Sequence, residues 1–245
     1  MTAVGVIPAR YAASRFPGKP LALIAGLPMV QRVWEGASTA KSLRSVIVAT
    51  DDERIADVCR DFGAPVTMTS PDHPTGTDRL AEVALGLDDE LVVNIQGDEP
   101  LIQGFVIDAA VEALREDSDA PMSTVIHAAD PKCLDDPNRV KVAIDRRGNA
   151  LYFSRCRIPA QRSETHEPDY WQHVGIYAYR RSFLLEFIGL EPTPLERSEQ
   201  LEQLRALEHG YRIRCATVTG WSAISVDVPD DVALVEARLR ESGPC

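Results

Sequence analysis

The chain has 245 residues, of which 44% are hydrophobic, and its formal net charge at pH 7 is -11. This length allows one large α/β domain or two small ones, with a sizeable buried core. The acidic balance argues against a nucleic-acid binder, because such proteins hold phosphates with clustered Lys and Arg. Apolar runs are too short to cross a bilayer and the N-terminus has no basic leader with a long apolar stretch, so we expect a cytoplasmic protein without membrane insertion.

The cysteines are odd in number and widely scattered. No C-x-x-C pair or His-rich neighbourhood suggests a zinc site. We therefore expect reduced thiols that mostly serve packing. They are Cys59, Cys133, Cys156, Cys215 and Cys245.

The first hundred residues alternate between two hydrophobic periods. Helical spacing of apolar residues begins at Val30, Ile55 and Leu80. Short apolar runs that read as strands are VGVIPA (4–9), SVIVATD (45–51), PVTMT (65–69) and LVVNIQ (91–96). This alternation predicts an α/β fold with a parallel sheet, whose ligands gather beyond the carboxyl ends of the strands.

The pattern changes in the second half of the chain. After a helix over 103–116 and the strand STVIHA, the segment VKVAID-RRGN-ALYFS predicts an antiparallel hairpin that turns at Arg147-Gly148-Asn149. With the strand HVGIYAYR, this hairpin predicts a lobe at about 138–180 on one continuous domain, 1–245. The remaining predictions are a helix with Leu201, Leu204 and Leu207 on one face, the strand RIRCATV and a helix from near Asp230.

The segment VIPARYAASRFPGKP at 6–20 is basic in an acidic protein. Arg10, Arg15 and Lys19 precede the first acidic residue, Glu35. A strand followed by a loop with glycine and cations commonly cradles phosphates. The loop matches neither the NTPase P-loop nor the dinucleotide fingerprint. The alternative is a set of solvated surface cations, but the charge pattern favours an anionic ligand.

Two aspartates follow apolar runs and are candidate metal ligands. Asp98 stands in GDEP and Asp227 in ISVDVPDD. Mg²⁺ takes carboxylate and phosphate oxygens, so either residue could link the protein to a nucleotide. GDEP could equally be a simple turn, while Asp230 is a candidate helix N-cap.

These residues belong to a longer series of motifs that resembles one enzyme family, the 3-deoxy-manno-octulosonate cytidylyltransferases or CMP-Kdo synthetases. The motifs stand in the family's order and span nearly the whole chain. They are IPARYAASRFPGKPL, VATDD, HPTGTDRLAEV, VNIQGDEPLI, NRVKVAID, ALYFSR, HVGIYAYR, PLERSEQLEQLR and SVDVPDD. The resemblance implies a Rossmann-like nucleotide-diphospho-sugar transferase fold, with a mostly parallel sheet and a β-hairpin dimerisation lobe in a homodimer.

The implied reaction transfers CMP from CTP to the anomeric hydroxyl of 3-deoxy-D-manno-octulosonate (Kdo), with release of pyrophosphate, for lipopolysaccharide biosynthesis. The resemblance implies that Asp98 and Asp227 bind Mg²⁺ and that Lys19 stabilises transition-state charge. It also implies a catalytic role for Arg10. The residues implied to bind the nucleotide are Arg10, Arg15, Gly18, Lys19, Thr77, Arg79 and Asp98. Thr77 could instead be a helix N-cap.

The resemblance also implies a set of residues for the sugar acid. They are Gln96, Arg155, Arg162, His173, Tyr177, Glu202 and Gln203. Each has an alternative role in packing or on a solvated helix face.

Two other functions stay open. The segment AQRSETHEPDYWQ departs from the family pattern, which leaves room for another acceptor such as 8-amino-Kdo, a sialic acid-like sugar or a phosphonate. A nucleotide-binding regulatory or scaffold protein without turnover is the alternative from another class. The presence of Lys19, Asp98 and Asp227 together argues against it.

Overall fold

The structure is a computed structural model that describes residues 1–12, 16–162, 165 and 168–242. The chain divides into two compact units. The first contains Met1–Asp108 and the chain from Ala223 onward, and the second contains Ala109–Ser222. The second unit is larger than the hairpin lobe predicted at about 138–180, and it includes that lobe.

A parallel sheet forms the centre of the first unit. Its strands are β1 (Ala3–Ala9), β4 (Val46–Thr50), β5 (Val66–Met68) and β6 (Leu91–Asn94), with β2 (Leu23–Ile24) and β3 (Leu27–Pro28) as a separate antiparallel pair. The order is β6-β1-β4-β5, and Val6 of β1 lies between Ile47 and Asn94. Every residue of β6 is buried, as expected of a strand covered on both faces. The predicted parallel α/β sheet is confirmed.

Helices connect these strands. They are α1 (Met29–Ser38), α2 (Glu53–Asp61), α3 (Gly76–Leu85), α4 (Gly104–Glu116) and, at the end of the chain, α8 (Asp231–Ser242). In α1 the residues buried at helical spacing include Val30, Val33 and Ala37, so the period that predicted the helix also defines its packed face. Helix α4 crosses the boundary between the two units.

The second unit has a mixed sheet. Its strands are β7 (Met122–Ala128), β8 (Lys141–Ile144), β9 (Ala150–Ser154), β10 (Trp171–Arg180) and β11 (Ile213–Thr217), and its helices are α5 (Arg181–Phe187), α6 (Pro194–Glu199) and α7 (Gln203–Glu208). Strand β11 runs parallel to β7, whereas β10 is antiparallel to both β7 and β8. Strands β8 and β9 form the predicted hairpin, with Gly148 at a φ of 80° in its turn.

Strand β10 contains a bulge between Val174 and Tyr177. The hydroxyl of Thr124 on β7 lies 3.1 Å from the Val174 carbonyl oxygen and 2.8 Å from that of Ile176. A buried hydroxyl thus supplies hydrogen-bonding contacts at the position where the strand ladder is interrupted.

The predicted helix through Leu201, Leu204 and Leu207 is wrong at its start. The structure has two short helices here, α6 and α7, with Leu201 between them. Gln200 adopts a left-handed backbone conformation with a φ of 54°, which ends α6. Leucine spacing alone carries no signal for this interruption.

Two further predictions concern single features of the chain. The four cysteines in the described residues, Cys59, Cys133, Cys156 and Cys215, are free thiols, as predicted, and Cys245 lies outside those residues. Within the same part of the chain, no helix combines the length and apolar character that a membrane span requires.

Candidate active site

Three segments of the first unit meet at Pro8, near the end of β1. A Cβ atom on Gly97 would lie 3.1 Å from the Pro8 carbonyl oxygen, and one on Gly76 would lie 3.3 Å from Pro8 Cγ. The turn after β6 and the first turn of α3 therefore both approach β1 closely where glycine leaves room. This brings the opening basic segment, the TGTDR segment and the GDEP turn to the same edge of the sheet.

The central feature of this edge is a cluster of Lys19, Asp98 and Asp227. The Lys19 ammonium group donates a hydrogen bond of 2.8 Å to Asp98 Oδ2 and lies 3.9 Å from Asp227 Oδ1. Their side chains are 18%, 28% and 39% exposed in that order, so the carboxylates remain within reach of solvent. One cation and two anions leave the cluster with a formal charge of -1.

Backbone contacts hold the cluster together. Lys19 Nζ also donates to the Val226 carbonyl oxygen at 2.9 Å, while the Val226 amide donates to the Asp98 carbonyl oxygen at 2.9 Å. Gly18 takes a φ of 70°, and its amide donates to the Tyr11 carbonyl oxygen at 2.9 Å. A left-handed glycine is thus what turns the basic segment so that Lys19 reaches Asp98.

The segment that carries Asp227 is fixed from two sides. The Asp231 carboxylate accepts hydrogen bonds from the amides of Asp227 and Val228, at 2.7 and 2.9 Å. Val226 is buried in an apolar cluster with Ile24 of β2, Met29 of α1 and Val235 of α8. Asp231, the first residue of α8, therefore organises this turn, and Asp230, the predicted helix cap, directly precedes it.

The donor set of this cluster fits Mg²⁺. Both Asp98 and Asp227 offer carboxylate oxygens, which this hard cation prefers. Among the described residues there is no group of three or more His, Cys, Asp or Glu side chains that could hold a metal ion. Two protein carboxylates suit Mg²⁺, since this ion usually keeps water and substrate phosphate oxygens as its other ligands.

Arg79 and Thr77 lie at the start of α3 in an arrangement that the sequence did not predict. Arg79 is 1% exposed, contacts the Thr69 hydroxyl and pairs with Asp51 at 3.1 Å. This burial favours a role in positioning the ends of β4 and β5 over direct contact with a nucleotide. The N-cap of α3 is Thr75, in a capping box with Asp78, so the alternative reading of Thr77 as the cap is wrong.

The other residues predicted for the nucleotide site are Arg10 and Arg15. Arg10 is half-buried at the end of β1, and Gln96, which was predicted for the sugar acid, is half-buried just after β6. Arg10 has no ion-pair partner within the described part of the chain, consistent with a cation that is available to a ligand. Arg15 lies outside the described residues.

In the second unit, His173 and Tyr177 lie beside the bulge of β10. Their ring centroids are 5.4 Å apart, the Phe153 ring lies 5.0 Å from His173, and His173 Nε2 is 3.0 Å from the Thr124 hydroxyl. Burial lowers the pKa of His173 to about 3 and raises the pKa of Tyr177 well above its usual value, with the Glu202 carboxylate adding to the latter. Both side chains are therefore neutral near pH 7 and suited to hydrogen bonding with hydroxyl groups.

Arg155 is held by backbone carbonyls. Its Nε donates to the Glu199 carbonyl oxygen at 2.7 Å, and its two terminal nitrogens donate to those of Pro137 and Gln200 at 3.0 and 3.2 Å. This geometry favours a structural role over direct recognition of a sugar carboxylate. Arg162, by contrast, is exposed in the segment before β10.

Glu202 and Gln203 form the start of α7. Glu202 is half-buried, with one carboxylate oxygen 3.8 Å from Arg205. Gln203 is 5% exposed, and its Nε2 has no hydrogen-bond partner among the described residues. A buried amide donor of this kind is available to a ligand oxygen. The alternative of a solvated helix face is therefore wrong for Gln203.

Two residues of the second unit were missed by the sequence reasoning. The Glu199 carboxylate accepts hydrogen bonds from the Ser154 hydroxyl at 2.7 Å and the Arg155 amide at 2.9 Å. Lys141 is 1% exposed and donates to three backbone carbonyls, one of them that of Arg155 at 2.6 Å. A lysine between Val140 and Val142 in a strand was a usable signal, whereas Glu199 stands in an ordinary acidic helix pattern.

Known proteins resemble this chain over nearly its full length. A family model described as Cytidylyltransferase matches residues 4–213. A 3-deoxy-manno-octulosonate cytidylyltransferase of Syntrophotalea carbinolica is 52% identical over 98% of this chain and 99% of the relative. An 8-amino-3,8-dideoxy-manno-octulosonate cytidylyltransferase of Shewanella sediminis is 50% identical over 96% and 97%. A solved CMP:2-keto-3-deoxy-manno-octonic acid synthetase complexed with CTP is 40% identical with a TM-score of 0.94, over 99% of this chain and 100% of that one.

Proposed function

The chain belongs to the cytidylyltransferase family, and on that premise we infer that it transfers CMP from CTP to Kdo, with release of pyrophosphate. In this reaction the anomeric hydroxyl oxygen bonds to the α-phosphorus, the bond from that phosphorus to the pyrophosphate oxygen breaks, and the hydroxyl proton is lost. The observation that carries this assignment is the cluster of Lys19, Asp98 and Asp227, in a chain with full-length relatives of this activity.

Phosphoryl-type transfer needs positioning and charge neutralisation more than covalent chemistry from the protein. We assign the triphosphate to Arg10, Arg15 and Lys19. Lys19 has the clearest geometric support, because its ammonium group is fixed by Asp98 and the Val226 carbonyl oxygen. A cation held in this way can stabilise charge that develops in the transition state without having to reorganise.

Asp98 and Asp227 are the residues that would hold Mg²⁺. The bound ion would supply charge neutralisation at the phosphates and polarisation of the attacking hydroxyl. Asp227 is kept in place by the contacts of its neighbours with Asp231, and Asp98 by its contact with Lys19. Each of the two carboxylates thus has its own structural support.

For the sugar acid we assign hydroxyl recognition to Tyr177, His173 and Gln203. The neutral state of the two rings and the Gln203 amide donor support this. Gln96 and Glu202 remain candidates as further hydrogen-bonding groups. The carboxylate of Kdo needs a cation, and Arg162 is better suited than Arg155, whose guanidinium group already donates to three carbonyls.

We further propose a cytoplasmic homodimer that supplies lipopolysaccharide biosynthesis. Support for the dimer comes from the hairpin of β8 and β9, where Leu151 is 63% exposed on a strand that pairs with β8 alone among the described strands. An exposed apolar residue on such an edge is a suitable contact for a second copy of the chain.

Pyrophosphate release from CTP and Mg²⁺ tests the function directly. Kdo should be consumed at the highest kcat/KM in a panel with 8-amino-Kdo and a sialic acid. Asp98→Asn and Asp227→Asn should abolish turnover with the fold intact, whereas Asp57→Asn on the exposed face of α2 should not change the rate. Preference for 8-amino-Kdo would favour the alternative acceptor. Binding of CTP without turnover on any acid would favour a regulatory protein.

A further inference from the structure

A polar cavity lies in the second unit, where the hairpin turn meets the start of β11 and the end of α4. Its volume is about 410 Å³. We call it the arginine pocket, after the three arginines among its lining residues. The residues that matter here are Glu116, Asp117, Arg147, Asn149, Arg212 and Arg214. None of them belongs to the residues assigned to CTP or Kdo.

Two of the three arginines have no carboxylate within ion-pair distance in the described part of the chain. Arg212 lies 3.5 Å from Asp117 and 3.8 Å from Asp119, whereas Arg147 and Arg214 form no such pair. The lining has three arginines and two carboxylates, Glu116 and Asp117, so its formal charge is +1. This leaves positive charge available for an anion.

Within the described part of the chain, Asp145 in the hairpin turn forms no ion pair with these arginines, although its charge acts on Arg147 at longer range. Asp145 Oδ1 accepts hydrogen bonds from the amides of Arg147 and Asn149, and its Oδ2 accepts one from Asn149 Nδ2. These hydrogen bonds hold the pKa of Asp145 below its usual range, and the bond from the Asn149 side chain has the largest effect. Its oxygens are thus committed to the turn.

The pocket is also held in shape before any ligand binds. The Cys215 amide donates to the Gly148 carbonyl oxygen at 2.8 Å, and Asn149 forms a β-bridge with Arg214. A Cβ atom on Gly148 would lie 3.2 Å from Arg214 Nη1, so the guanidinium group rests directly on the turn. A guanidinium group packed against the turn loses less entropy when it binds an oxyanion.

Asn149 supplies a second and independent indication of a ligand. It is 7% exposed and its Oδ1 has no hydrogen-bond partner among the described residues. A buried acceptor of this kind calls for a hydrogen-bond donor. A ligand that satisfies both the arginines and Asn149 is an oxyanion that also carries an O–H group.

We propose that the arginine pocket binds a phosphate group with an adjacent hydroxyl, either as hydrogen phosphate or as the phosphate ester of a hydroxylated metabolite. The arginines would bind the phosphate oxygens, and Asn149 Oδ1 would accept the hydrogen bond from the hydroxyl. Sulfate offers the same oxygens without the donor and should bind less tightly.

A titration of the full-length, ¹⁵N-labelled chain tests the site locally. Inorganic phosphate, glycerol 3-phosphate and sulfate are added at constant ionic strength, and the amide resonances of Gly148 and Cys215 are followed. This readout separates the pocket from the proposed CTP site. We expect saturable shifts with phosphate or glycerol 3-phosphate and about 3-fold to 10-fold weaker binding of sulfate, the difference one neutral hydrogen bond makes.

Variants decide which residues are responsible. Arg214→Ala and the exposed Arg147→Ala should each weaken phosphate binding about 10-fold, the size of one charge-assisted hydrogen bond. The neighbouring Arg146→Ala, which does not line the pocket, is the matched control. Unchanged affinity in both pocket variants, an equal loss in Arg146→Ala, or identical titrations with all three anions would overturn the proposal.

Discussion

At the scale of single residues, Lys19 has two electrostatic functions that the geometry separates. Its contact with Asp98 neutralises one of two neighbouring carboxylates. Without the lysine, both carboxylates would repel a triphosphate. Its bond to the Val226 carbonyl oxygen fixes the ammonium group independently of that carboxylate. An ammonium group held in this way is preorganised for the transition-state charge that we propose it stabilises.

Replacement of Lys19 by Ala should therefore lower kcat by roughly 100-fold or more, the loss typical when a group that stabilises transition-state charge is removed. Steady-state kinetics with CTP and Kdo would measure it, with the exposed Lys41→Ala as a control of equal charge change. A higher KM at unchanged kcat would instead assign Lys19 to binding alone.

His173 makes a residue-scale prediction about pH. Because burial lowers its pKa to about 3, while an unfolded histidine titrates near 6.5, protons bind preferentially to the unfolded chain between these values. The stability from neutral His173 is thus fully present above about pH 6.5 and falls as the pH decreases, by at most about 1.4 kcal/mol per pH unit.

Urea unfolding at about pH 7.5 and about pH 5.0 checks this. The wild-type chain should lose about 1 to 2 kcal/mol more stability on acidification than His173→Gln does. His209→Gln, which removes an exposed histidine on the same unit, should behave like wild type. Equal losses in all three proteins would mean that the His173 ring can be protonated in the folded state.

At the scale of elements, the start of α3 depends on a capping box. Thr75 Oγ1 accepts a hydrogen bond from the Asp78 amide, and the Asp78 carboxylate accepts one from the Thr75 amide. This fixes the TGTDR segment against β1, and hence the place of Arg79 in the first turn of α3. The cap is a structural requirement of the site as well as of the helix.

Thr75→Ala should consequently lower the free energy of unfolding by about 1 kcal/mol, as removal of a helix N-cap usually does. Chemical denaturation would measure the change. Ser182→Ala, at an exposed position in α5, is the control and should stay within about 0.5 kcal/mol of wild type. No loss in Thr75→Ala would show that the helix start is held by other contacts.

Elements with one clear period were predictable, and those that depend on single backbone angles were not. Strands β1, β4, β5 and β6 and helices α1 to α4 follow their apolar spacing closely, whereas the two-residue strands β2 and β3 were not predicted. The interruption at Gln200 depends on a left-handed residue that composition does not reveal. Helix α5 follows β10 without a loop, and its buried Phe183, Leu184 and Phe187 were a usable signal that the prediction did not include.

The sequence motifs named Lys19, Asp98 and Asp227, which the structure brings together, but they did not predict the contacts between them. Lys19 and Asp98 are 79 positions apart, and their contact follows from the order of the parallel strands and the close approach of glycines to Pro8. Sequence motifs could name Arg79 and Arg155 as candidates. They could not show that Arg79 is buried beside Asp51, or that the Arg155 guanidinium group donates to backbone carbonyls. Which partner a long side chain reaches is decided by tertiary packing.

At the scale of the whole molecule, the proposed homodimer depends on the outer edge of the hairpin. Leu151→Asp would place a charge on the exposed apolar position of β9, and its burial against a second copy would be costly. We expect the dimer dissociation constant to rise at least about 10-fold, since burying one leucine side chain is worth about 1.5 to 3 kcal/mol.

Sedimentation velocity over a range of protein concentrations would measure this shift. Leu85→Asp is the matched control, because Leu85 is 67% exposed at the end of α3 in the other unit and should leave assembly unchanged. A monomeric wild-type chain would refute the dimer itself. A dimer that tolerates Leu151→Asp but not Leu85→Asp would place the contact on the first unit, and the exposed edge of β9 would then need another explanation.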